Sequence, residues 1–138
     1  MSFLSPKDFY ERYKGDDEEA RRAAFKIGQD LASVLMQRLG VQGGNLESLA
    51  AVLNEFQRMV QGEPNAKVEG TRVTMSCTGF CPVMRAALTL DIPWTWLDTR
   101  MAWPMFEGMA SHIMASATLS LPLAKSRGDP ACDYVFEI

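Results

Sequence analysis

At 138 residues the chain has the length of one domain. Its 47% hydrophobic and 22% charged residues exclude a disordered tail, a collagen-like rod and a disulfide scaffold. A formal net charge of -3 disfavours nucleic acid and anionic membrane as partners. The opening residues become charged too early for a signal peptide, and no apolar run reaches the roughly 18 residues of a membrane span. The expected location is the cytoplasm, where the three cysteines are thiols or ligands rather than disulfides.

One domain over residues 1–138 is expected, with a helical part at 1–62 and a sheet-plus-helix part at 66–138. Ser5-Pro6 sets a capping hydroxyl before a proline suited to a first helical position, which predicts a short helix over residues 6–14. Asp16, Asp17, Glu18 and Glu19 favour the start of a second helix, where the dipole welcomes negative charge. Phe25, Ile27, Leu31, Val34 and Leu35 form its apolar stripe and Gly40 ends it. Asn45 caps a third helix, with Leu46, Leu49, Leu53, Phe56 and Val60 on one face; Gly62 and Pro64 close it. The period then falls to two. Strands are predicted near 68–77, 117–124 and 131–138, with Pro122 marking an edge strand. A polar loop at 125–130 joins the last two strands. Between the first and second strands lie helices at about 82–90 and 94–114, the longer one kinked at Pro104, which lacks an amide donor. The predicted class is α+β: a helical amino-terminal half, then a small three-stranded antiparallel sheet with helices packed on one face.

The segment Cys77-Thr-Gly-Phe-Cys81-Pro82 falls at the junction of a strand and a helix. A thiol at a helix amino terminus is stabilised as thiolate by unpaired amides and the dipole, so Cys81 is a candidate nucleophile, redox thiol or metal ligand. The alternative is a small buried residue at a crowded turn. Cys132 shares an inward phase with Tyr134 and Phe136, as Cys77 does on its own strand. If those strands are neighbours, the two sulfurs approach. Three thiols with His112, Asp98 or Glu107 would suit zinc, although no standard ligand spacing is present. The stretch 94–114 holds all three tryptophans and a run of methionines, residues that together wall an apolar pocket. A core helix or a dimer contact is the plainer account of the same pattern. No glycine-rich phosphate loop and no GxSxG elbow is present.

The order strand, Cys81-Pro82, helix with Ile92-Pro93, long helix, then the run Gly128-Asp129-Pro130-Ala131-Cys132-Asp133 resembles the 4-vinyl reductase domain superfamily. Within it the chain is most similar to small proteins labelled L-2-amino-thiazoline-4-carboxylic acid hydrolase-like. The resemblance covers about residues 68–138. It implies an α+β domain that binds small molecules between helices and sheet, often as a homodimer, with zinc held by cysteines and an acid in some members. Cys132 matches the cysteine of the hairpin strand in those zinc sites. Leu121, Pro122, Leu123 and Ala124 stand where the preceding strand would carry other ligands, so no metal ligand is assigned. No catalytic motif matches the hydrolase label.

The expected function is binding of an apolar or aromatic small molecule by Cys77, Trp96, Met101, Trp103, Met105, Phe106, Met109, Cys132 and Tyr134. A rival is a thiol-dependent hydrolase of a small cyclic C–N or C–S substrate, with Cys81 as nucleophile and His112 as base. A third reading is a structural subunit of a larger complex. A homodimer is expected because the 94–114 stretch is apolar on more faces than its own sheet can cover.

Overall fold

The computed structural model describes residues 5–79 and 81–138; Phe80, inside the Cys77–Cys81 motif, lies outside them. Helix α1 (Pro6–Tyr13) begins at Ser5, whose hydroxyl accepts from the Asp8 amide. Helix α2 (Asp17–Leu39) is capped by Asp16, which accepts from Glu19 N, and it ends at Gly40 in the left-handed conformation, φ +67°. Helix α3 (Leu46–Met59) is capped by Asn45. Each cap satisfies an amide that has no partner within its helix, and the polar residue before each apolar stripe is what made these boundaries readable.

The sheet has four antiparallel strands in the order β1-β2-β4-β3. The strand expected near 68–77 is two strands, β1 (Lys67–Glu69) and β2 (Arg72–Cys77), joined by a hairpin turn. Gly70, at φ +64°, supplies the left-handed residue that a two-residue hairpin loop needs. Two asparagines fasten this hairpin. Asn54 on α3 pairs with both backbone groups of Ala66, and Asn65 pairs with both of Ser76.

Helix α4 (Pro82–Leu90) follows β2. The 94–114 stretch then divides into α5 (Trp94–Leu97), a π-helical turn at Asp98–Ala102 and α6 (Trp103–Ile113). The irregularity thus precedes Pro104 rather than falling at it. Proline cannot donate to the carbonyl four residues back, and the Trp103 amide reaches five residues back to Asp98 O instead. Strand β3 (Thr118–Leu123) lies at the sheet edge, where exposed Pro122 is tolerated. Strand β4 (Cys132–Glu137) is central and buries Cys132, Tyr134 and Phe136.

The helices form an α+β arrangement over the inner face of this sheet. Phe136, Val73 and Met75 from the sheet join Leu35, Leu49, Leu53, Phe106 and Met109 from the helices in one core. Helices α2 and α6 touch at glycines. A Cβ on Gly28 would stand 2.0 Å from Met105 O, and one on Gly108 would stand 2.0 Å from Phe25 O. Backbone meets backbone there, which only glycine permits. The extra apolar face of the 94–114 stretch is therefore covered by α2 of the same chain. No helix among the described residues is long and apolar enough to cross a membrane.

Candidate functional site

Between the helices and the inner sheet face lies a cavity of about 330 Å³. Ile27 and Leu31 of α2, Phe56 and Met59 of α3, and Met105 and Phe106 of α6 provide much of its wall. Leu97 enters from the end of α5 and Met101 and Ala102 from the turn before α6, while Cys77 and Tyr134 enter from the sheet. Cys81, Val83 and Ala86 come from the start of α4. The aromatic part is interlocked: Phe106 meets Phe56 edge-on at 5.6 Å and Tyr134 at 5.1 Å between ring centres. Such contacts hold the rings in place beyond what their buried area alone provides. Gln57 is the one amide side chain in the lining, and its Nε2 donates to Met75 Sδ at 3.4 Å.

Cys81 is the N-cap of α4, and its sulfur accepts from the Met84 amide at 3.2 Å. The neighbouring Cys77 thiol is the main influence drawing the Cys81 thiol down to about 7. Burial and the nearby Asp98 carboxylate work against it, while the α4 amides of Met84 and Val83 assist. Cys77 moves the opposite way: its interaction with Cys81 and its burial both hold its proton on.

The loop joining these cysteines is held from two sides. Glu63 accepts from the amides of Thr78 and Gly79, at 3.1 and 2.7 Å. Lys125 donates through Nζ to the carbonyls of Thr78 and Gly79. Its backbone amide donates to Cys132 Sγ at 3.2 Å. Neither Glu63 nor Lys125 stood out in the sequence, because each is an isolated charge in a polar loop.

Asp98 is only 2% exposed, and its Oδ2 has no hydrogen-bond partner. Burial pushes its carboxyl up to about 6, while the Ser126 hydroxyl and the Arg127 charge draw it partly back. Its charge acts on Cys81, Cys132 and Tyr134. Asp98 does not line the cavity; it stands behind the wall.

Of the expected ligand residues, Cys77, Met101, Met105, Phe106 and Tyr134 line the cavity. Trp96 instead packs against Phe9 and Tyr10. Trp103 lies under the Arg127 guanidinium, and Met109 is fully enclosed in the core. Cys132 faces Cys77 across the β2–β4 pairing, so the strands are neighbours, but it stays outside the cavity lining. His112 is exposed and lines a separate depression with Ser33, Met36 and Gln37. It is not brought together with Cys81. Zinc does not fit either: among the described residues no group of three His, Cys, Asp or Glu side chains could hold a metal ion.

The wall residues that the sequence does not single out, among them Ile27, Leu31, Phe56 and Val60, belong to the apolar stripes of the second and third helices. A stripe that faces a void has the same spacing as one that faces packed side chains. Comparison with protein-family models, with characterised proteins and with solved structures gives no match for this chain.

Proposed function

We propose that the protein binds an apolar or aromatic small molecule in the cavity between α2, α3, α6 and the sheet. The observation that carries this reading is the cavity itself: about 330 Å³ walled by aliphatic, methionine and aromatic side chains with few polar groups. An apolar void of about 150 Å³ already accommodates benzene, and ligand sites usually fall between about 300 and 1,000 Å³. Met59, which lines the cavity and is 46% exposed, offers a route in from the surface. The resemblance of residues 68–138 to the 4-vinyl reductase superfamily points the same way. A cytoplasmic location belongs to this reading, since it keeps the wall thiols reduced.

The hydrolase alternative retains Cys81 as a nucleophile, but His112, its expected base, lines a different depression. Thermal-shift screening against substituted benzenes, indoles and small aromatic acids tests the binding reading. A ligand at a hundred times its Kd should stabilise the fold by about 2.7 kcal/mol, and Ala86→Phe, which fills the cavity, should abolish the shift. Melting curves that stay flat across the whole set would overturn the proposal.

A further inference from the structure

We infer that Cys81 and Cys77 form a two-thiol redox centre that reduces an apolar organic hydroperoxide held in the cavity. This rests on the binding reading and adds a reaction to it. Cys77 and Cys81 both belong to the cavity wall, at the two ends of one short loop, and the Cys81 sulfur accepts from the Met84 amide at the start of α4. A cysteine at a helix N-terminus, where a thiolate is favoured, and a second thiol therefore face the same space. All three cysteines are unbridged, and Glu63 and Lys125 hold the loop that sets the separation of the pair. The third cysteine is otherwise engaged, because Cys132 accepts from the Lys125 amide and lies outside the lining.

The chemistry needs no histidine. The Cys81 thiolate attacks the terminal oxygen of R–O–O–H; the S–O bond forms, the O–O bond breaks, and the alkoxide leaves as ROH after taking a proton from water. Cys81 is then a sulfenic acid. The Cys77 sulfur attacks the Cys81 sulfur, the S–S bond forms, and the departing hydroxide takes the Cys77 proton and leaves as water. Two thiols lose two electrons, and the hydroperoxide gains them. A dithiol from solution returns the disulfide to two thiols by exchange. The apolar walls select the R group: an aryl or alkyl hydroperoxide gains from burial, whereas hydrogen peroxide has nothing to bury.

The test treats the reduced full-length chain with one equivalent of cumene hydroperoxide or of hydrogen peroxide, followed by trypsin digestion and mass spectrometry. Cleavage after Arg72, Arg85 and Arg127 leaves Cys77 and Cys81 in one peptide and Cys132 in another. The expected result is loss of two hydrogens confined to the peptide of residues 73–85, formed at least tenfold faster with cumene hydroperoxide. Cys77→Ser should stop at a sulfenic acid on Cys81 that dimedone traps. A disulfide reaching Cys132, or equal rates with the two peroxides, overturns the inference even if a variant fails to fold. The unreactive alcohol 2-phenyl-2-propanol is titrated in parallel by thermal shift. Binding of the alcohol without oxidation by the hydroperoxide defeats the redox centre and leaves the binding reading standing; absence of binding defeats the binding reading itself.

Discussion

Asp98 is the residue whose position costs the fold most visibly. Its carboxyl is buried with one oxygen unpartnered, and it titrates near 6 against an ordinary 3.8. Since the folded state raises this pKa, the stability associated with the proton is fully present below 3.8 and is lost as pH rises through about 6. The shift corresponds to about 3 kcal/mol when the group is ionised. Asp98→Asn should therefore stabilise the protein at pH 8 by up to about 3 kcal/mol, with the gain shrinking at pH 4. Urea unfolding at the two pH values measures this, and a gain independent of pH would show that burial of the charge is not the cause. The cap role of Cys81 was legible, because Cys81-Pro82 at a strand end leaves little choice for a helix start. The partnership with His112 was not legible. A lone histidine carries no positional signal, and its placement depends on how α6 lies across α2.

At the level of elements, the helices were readable from their caps and stripes, and the edge position of β3 from Pro122. The β1–β2 hairpin was missed because β1 is three exposed residues, Lys67–Glu69, with no alternation to read. The turn before α6 was missed for a different reason: a proline announces a lost hydrogen bond but not which neighbouring carbonyl will absorb it. The contact between α2 and α6 rests on Gly28 and Gly108, each facing a backbone carbonyl of the other helix. A methyl group cannot fit within 2.0 Å of a carbonyl oxygen, and neither helix can bend away without opening the core beneath it. Gly108→Ala should therefore destabilise the fold by about 3 kcal/mol or more, read as a lower midpoint in urea. Gly15→Ala provides the control, since an added Cβ there meets nothing within 4 Å. Equal effects at the two positions would show that the close crossing carries no special weight.

Viewed whole, the described residues bury most of their apolar stripes within one chain. The larger hydrophobic side chains that remain exposed, such as Leu88, Ile138 and Met59, are scattered over α4, the end of β4 and α3, as single exposed residues commonly are. Light scattering should then give a concentration-independent mass of one chain, 15.4 kDa; a mass of two chains at micromolar concentration would show that another surface associates. The domain class was readable from the change of period halfway along the chain. The cavity was not, because a void is a property of three packed layers and leaves no mark on any one of them. The strand order also has a consequence for how the protein is made. Strand β4 follows every other strand in the chain yet lies between β2 and β3, so those two have no neighbour in common until it arrives. A nascent chain still lacking β4 presents open edges on both, the kind of edge that pairs with other chains.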